Sequence, residues 1–181
     1  MTLTNAPHAV IGFVNSQDLR LMRRVQRWRP PRWVRWWMIL ATRGGDGWIW
    51  YGQGAVLLLM GGSRRFAAAE AGALACGLGI LIFRALKRAT GRPRPSVLEK
   101  HNWARLLPPD EFSFPSGHTI TAFAFTVSIA HFYPEMLPWF LFCALSVGAS
   151  RIVLGMHFLS DVLAGCLIGC TLGYFAGHVV L

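Results

Sequence analysis

The stretch "FSFPSGHTITAF", residues 112–123, sets Ser116, Gly117 and His118 directly before an apolar run. A titratable ring at the threshold of a hydrophobic segment has three readings: a helix cap, a metal ligand or part of a reactive site. Pro115 ends any helix that precedes the triplet, so the apolar run reads as a new helix opened by it.

The rest of the chain is equally apolar. Of 181 residues 54% are hydrophobic and 14% charged, with eight Trp and twelve Phe, and the mean hydropathy is +0.41. A soluble domain carries about 25% charged residues, so the composition reads as one integral membrane domain. Cys76, Cys143, Cys166 and Cys170 all lie in apolar runs without a C-x-x-C pair, and read as small packing residues rather than ligands or disulfide partners. Residues 1–20 lack a basic start followed by an apolar core. No cleavable signal peptide is expected, and the first apolar span is expected to act as the insertion signal.

Residues 17–29, "QDLRLMRRVQRWR", set Leu19, Met22 and Val25 at helical spacing against Arg20, Arg23, Arg24 and Arg27. This pattern predicts an amphipathic helix lying on a membrane surface. It is read against a basic nucleic-acid-binding tail because the neighbouring segments are membrane-like. "WVRWWMILAT" (33–42) is too short to cross a bilayer, and Trp33, Trp36 and Trp37 suit the headgroup layer. Residues 1–46 are therefore expected to be a basic interfacial segment and 47–181 a membrane-embedded domain. Five spans are expected, over about 47–62, 66–86, 117–132, 137–154 and 161–181. The expected fold is all-α, a polytopic transmembrane helical bundle. The "GCLIG" at 165–169 is a G-x-x-x-G, which serves packing within the bundle as well as dimerisation.

The polar residues fall in two intervals. One is 87–118, rich in proline; the other is 150–161, "SRIVLGMHFLSD". The chain enters the membrane at His118, turns at "HFYPEML" and returns to Ser150, so both intervals lie on one membrane face. Lys87, Arg94, Ser116, His118, Arg151, His157 and Asp161 thus come within reach of one another. Three converging cations are costly unless an anion neutralises them, and a tetrahedral oxyanion such as phosphate suits two guanidinium forks and an ammonium. Ser116 and Gly117 at a helix start offer free N–H groups, close backbone approach and a hydroxyl. His157 and Asp161, at i and i+4, can share a helix face, where the carboxylate fixes one ring nitrogen and leaves the other free to attack phosphorus. His118 can then protonate the leaving oxygen. A zinc site on His118, His157 and Asp161 fits poorly beside three cations. His8, His101, His131 and His178 read as wet interfacial residues.

These residues carry a family pattern. "KRATGRPRP" fits K-x6-R-P, "PSGH" stands at 115–118, and "SRIVLGMHFLSD" fits S-R-x5-H-x3-D. The sequence resembles the type 2 phosphatidic acid phosphatase family, lipid phosphate phosphatases that share a helical core with vanadium haloperoxidases. The resemblance implies His157 as nucleophile, Asp161 as its partner and His118 as general acid. Lys87, Arg94, Ser116, Gly117 and Arg151 are then the phosphate-binding set, and no metal or cofactor is needed. It implies a phosphorylated lipid as substrate, with membrane lipids as the surroundings and no nucleic acid as partner. The activity expected is a lipid phosphate or pyrophosphate phosphatase working through a phosphohistidine. A phosphotransferase and a non-catalytic phospholipid carrier are the alternatives. Arg88, Arg92, Lys100, His101 and Arg105 suggest a polyanionic head group. Many bacterial members carry six spans, where residues 1–46 here offer only interfacial pieces. The expected location is the bacterial inner membrane. Family resemblance puts the site on its outer side, whereas eight Arg in 17–46 against Arg64 and Arg65 on the opposite face put it on the cytoplasmic side.

Overall fold

Helix boundaries follow the proline and glycine punctuation of the sequence. The structure, a computed structural model, describes residues 6–98 and 111–181. Helix α1 (Ala6–Arg27) begins well before the predicted amphipathic segment. Pro30 and Pro31 separate it from α2 (Arg32–Arg43), which carries the tryptophans. Trp33, Trp36 and Leu40 project outward, while Trp37 packs edge-on against Phe142 of α7 (Leu137–Val153). A kinked turn, Gly44–Trp48, with Gly47 at φ +125°, redirects the chain into α3 (Ile49–Met60). Only glycine holds that dihedral without strain.

Helix α4 (Arg65–Thr90) closes on Gly91, a left-handed residue at φ +57° whose N–H bonds the Lys87 carbonyl. A single turn, α5 (Pro95–Leu98), follows. Helix α6 (Gly117–Phe132) starts two residues after Pro115, as the triplet predicted, and α8 (Leu159–Val180) ends the fold. The described residues hold no strand; an isolated bridge joins Pro93 and Phe112. The protein is a polytopic all-α transmembrane bundle.

Three helical stretches, Gly62–Thr90, Pro134–Val153 and Leu159–Val180, are long and apolar enough to cross a membrane. Helices α3 and α6, predicted as spans, have 12 and 16 residues. The shortness of α6 has a packing reason. It is the central helix, buried almost throughout and surrounded by α4, α7 and α8, so it faces protein more than lipid. The aromatic core of Trp50, Phe125 and Phe140 fills the space beside it.

Its tightest partner is α8. Gly165, Gly169, Gly173 and Gly177 form a stripe on α8 that lies directly on α6. A Cβ at Gly169 would stand 2.5 Å from the Ile120 carbonyl oxygen, and one at Gly173 2.6 Å from that of Ala124. The G-x-x-x-G pattern therefore serves packing within the bundle, with dispersion between two backbones as its energy. Gly169→Ala is expected to cost about 1–3 kcal/mol through overpacking, read as a lower thermal midpoint in detergent. Gly77→Ala on α4, where an added Cβ meets nothing within 4 Å, is expected to leave the midpoint unchanged or slightly raised.

Candidate active site

The site forms where three chain segments meet at one end of α6. The first follows α4. Segment 91–94 is clipped to 112–113 by Ser113 N–H to the Arg92 carbonyl (2.8 Å) and the Ser113 hydroxyl to the Pro93 carbonyl (3.1 Å). This turns Arg94 inward, where it is 1% exposed and donates from Nη1 to the Met156 carbonyl at 2.9 Å. Lys87, buried on the last turn of α4, lies over the Phe83 ring.

The second segment is the start of α6. Ser116 takes the N-cap position, but its hydroxyl makes no capping bond. It accepts the Thr119 hydroxyl proton at 2.9 Å instead, which leaves its own proton to donate. Gly117 packs beneath Phe83, whose ring would lie 3.1 Å from a Cβ there. Ser116 N–H bonds the Asp161 carbonyl oxygen at 3.1 Å, tying the start of α6 to the first turn of α8.

The third segment is the turn between α7 and α8. Gly155 at φ +69° reverses the chain, and the N–H groups of Met156 and His157 both donate to the Arg151 carbonyl. His157 is thereby fixed relative to Arg151, and both are almost fully buried. His157 Nε2 lies 3.3 Å from Arg94 Nη1. Arginine donates only, so Nε2 is the acceptor and the neutral ring carries its proton on Nδ1. Burial, and then the charges of Arg151, Arg94, Lys87 and His118, hold the His157 pKa well below the usual imidazole value.

All eight residues predicted from the sequence thus lie around this one end of the bundle, with one difference in detail. The hydrogen bond expected between His157 and Asp161 is not formed. Nδ1 stands 3.6 Å from Asp161 Oδ2 and has no hydrogen-bond partner among the described residues. Oδ2 instead takes the Phe158 N–H at 2.8 Å, a one-sided helix-start cap, and Oδ1 takes Arg92 at 2.6 Å. Arg92, expected to meet a head group, points inward to Asp161 and Asp18 because two carboxylates draw it there. Lys100, His101 and Arg105 lie outside the described residues.

Two partners were not foreseen. His118 Nε2 is paired with Asp46 Oδ1 at 2.7 Å, across the kink at Gly47. That hydrogen bond holds the Asp46 pKa below the usual carboxylate value, against a smaller opposing effect of burial. Arg151 Nη1 donates to the Thr42 hydroxyl at the end of α2. The residue-to-residue separations are 72 and 109, so no local pattern could announce either. Among the described residues no group of three His, Cys, Asp or Glu could hold a metal ion.

A cavity of about 680 Å³ opens on this site. Lys87, Arg94, Gly117, His118 and Asp46 line one part of it, and Trp50, Ile80 and Phe83 another. A polar, cationic end joined to an apolar wall between α3 and α4 matches an amphiphile with an anionic head.

Comparison with known proteins agrees with this geometry. The PAP2 superfamily model matches residues 70–181, and the chain belongs to that superfamily. It is 36% identical over 100 residues to the lipid A 1-phosphatase of Rhizobium etli, covering 53% of this chain and 42% of that protein. It is 34% identical over 110 residues to phosphatidylglycerophosphatase B of Bacillus subtilis, covering 55% and 51%. The chain thus matches about half or less of the length of these relatives. The crystal structure of a transmembrane PAP2-type phosphatidylglycerolphosphate phosphatase from Bacillus subtilis superposes with a TM-score of 0.71 at 26% identity, over 92% of this chain and 85% of that one. The Aquifex aeolicus LpxE structure superposes with a TM-score of 0.70 at 28% identity, over 87% and 93%.

Thr42 offers a clean test of how Arg151 is held. Thr42→Val removes its acceptor, and a hydrogen bond to a charged group contributes about 1.5–3 kcal/mol. Binding of orthovanadate is expected to weaken about tenfold or more, since about 1.4 kcal/mol is a factor of ten. Thr42→Ser should restore it, measured by inhibition or by calorimetry in detergent.

Proposed function

We propose that this chain is a phosphatase of a membrane lipid, cleaving a phosphomonoester or diphosphate through a phosphohistidine at His157. The observation that carries the reading is the His157 ring itself. Its Nε2 lone pair faces Arg94, which lines the cationic end of the cavity together with Lys87, and Arg151 is buried close behind. A phosphoryl group held by these cations presents its phosphorus to Nε2. Nε2 forms the N–P bond as the bond from phosphorus to the lipid oxygen breaks. His118 Nε2–H supplies the proton to that oxygen, and Asp46 Oδ1 marks a position from which an oxygen accepts it. In the second step water attacks phosphorus, gives its proton to His118 and releases phosphate and free His157. Catalysis rests on positioning and on neutralising the equatorial oxygens. These roles need no metal.

The names of the relatives point to lipid substrates. Within the cavity, Arg84 and Arg88 stand on α4 beside Lys87 and widen the cationic end. This favours lipids whose head carries a second anionic group, such as a diphosphate, over a simple monophosphate. Phosphate release from a panel of polyprenyl phosphates and diphosphates, phosphatidate, phosphatidylglycerophosphate and lipid A tests the whole reading. His157→Ala is expected to lower release by about a thousandfold or more, and undiminished release sinks the mechanism. The attacking ring must be neutral, and its proton affinity is depressed. Activity as kcat/KM should therefore persist below pH ~6.5, the ordinary imidazole value, and fall only as pH drops through the lower value.

The reading extends to placement in the bacterial inner membrane with the site on the cytoplasmic face. The Arg-rich α1 and α2 reach the site directly through Asp18 and Thr42, so they share its face, while Arg64 and Arg65 lie at the opposite end. Positive charge marks the cytoplasmic side. In a cysteine-free background, Glu135→Cys is expected to react with an impermeant thiol reagent added outside intact spheroplasts, and Arg29→Cys only after lysis. The reverse pattern turns the molecule over.

A further inference from the structure

Behind His157, a chain of polar contacts runs from the reacting ring to the N-terminal helix. Asp161, fully buried, accepts a hydrogen bond at Oδ1 from Arg92 Nη1 at 2.6 Å. The other end of the same guanidinium, Nη2, meets Asp18 Oδ2 of α1 at 2.7 Å and Asn15 Oδ1 at 2.9 Å. Ser160 closes the ring of contacts. It accepts Arg92 Nη1 at 2.7 Å, donates its hydroxyl to Asp18 Oδ2, and gives its N–H to Asp18 Oδ1 at 3.2 Å. Asp18 is 5% exposed, which is rare for a carboxylate and requires such pairing. The guanidinium also lies 4.4 Å from the centroid of the Phe158 ring, which holds its plane.

We propose that Asp18 and Arg92 are positioning residues that set the orientation and the effective charge of Asp161 behind His157, so that α1 is a working part of the reacting site. This rests on His157 being the nucleophile. Two consequences follow from the contacts. First, Arg92 on Oδ1 and the Phe158 N–H on Oδ2 fix the carboxylate at both oxygens. Held so, Asp161 keeps Oδ2 3.6 Å from His157 Nδ1. Secondly, charge is shared. A guanidinium paired with Asp161 alone would cancel it. Paired also with Asp18, the cluster of two carboxylates and one guanidinium keeps a net negative charge. That charge faces a ring that becomes cationic as Nε2 bonds phosphorus. The other charged or titratable groups around His157 are Arg151 from α7, Arg94 from the segment after α4, Lys87 from α4 and His118 from α6. The charged ones oppose a cationic ring, so the net charge of the Asp18–Arg92–Asp161 cluster decides how far it is tolerated.

The two ends of the strut make opposite predictions. Asp18→Asn keeps the shape and removes a negative charge. kcat should fall about tenfold with KM little changed, and the acidic limb of the kcat/KM–pH profile should move down by about one pH unit. Arg92→Gln removes the positive charge and should move the same limb up, while Arg92→Lys returns it toward the wild-type position. The Arg92 pair reads the same property if the Asp18 variant fails to accumulate. An anchor that merely holds α1 would lower thermal stability in all variants without moving the limb in either direction, and that outcome overturns the proposal. His157→Ala, assayed alongside, separates the two readings. If it still releases phosphate, the nucleophile assignment falls and the strut with it. If it is inactive and the limbs do not move, the strut alone falls.

Discussion

Backbone lies against backbone where α8 crosses α6, and the relative placement of the candidate-site residues at the starts of these two helices depends on that contact. Four glycines at a spacing of four keep one face of α8 bare, so that the carbonyl oxygens of Ile120 and Ala124 occupy the space of absent side chains. In lipid there is no hydrophobic gain from bringing two helices together. The contact is held by dispersion over a close fit, which tolerates neither a shift in register nor a methyl group. The stripe runs up to the first turn of α8, where the Ser116 N–H meets the Asp161 carbonyl. The start of α6 and the start of α8 are therefore set against each other, and with them Ser116 and Gly117 and the carboxylate of Asp161.

On that frame the electrostatics are arranged in pairs. Each histidine has a carboxylate on its own side: Asp46 for His118 and Asp161 for His157. Two of the buried guanidinium groups have short-range holders, the Thr42 hydroxyl for Arg151 and the Met156 carbonyl for Arg94. A hydrogen bond to a hydroxyl or a carbonyl fixes the position of each cation. In the proposed reaction the positive potential meets the anionic head group, and the two carboxylates stand beside the two rings. Burial first, and then the same positive potential, lowers the His157 pKa and so favours the neutral ring.

How much of this the sequence discloses depends on whether a partner is close in the chain. Lys87 and Arg94, the Ser116–His118 triplet, and Arg151, His157 and Asp161 each lie within a short motif, and the crossing count brings them to one face. Gly117 is legible as a site of close backbone approach, whereas the reversal at Gly155 shows only in the structure. The residues that hold the site are a different matter. Thr42, Asp46 and Asp18 reach partners at separations of 109, 72 and 142 residues, and nothing in their own neighbourhoods distinguishes them from interfacial polar residues. Arg92 was misassigned to a head group because composition reports that a cation is present and not which way it turns. The G-x-x-x-G at 165–169 allowed dimerisation or internal packing until the face it presents was known.

Those three distant partners have one origin: all come from the first 46 residues. The segment that composition describes as a basic interfacial piece supplies Asp18 to the Arg92 pair, Thr42 to Arg151 and Asp46 to His118. The exposed Trp33, Trp36 and Leu40 of α2 suit the headgroup layer, and the kink at Gly47 turns the chain from α2 into the bundle while setting Asp46 against His118. Polar residues of this segment thus stand at the candidate site, and Asp46 lines the cavity that also has Trp50, Ile80 and Phe83 in its wall. Three contacts from 1–46 therefore hold the candidate site in place beside those from the motif-bearing helices.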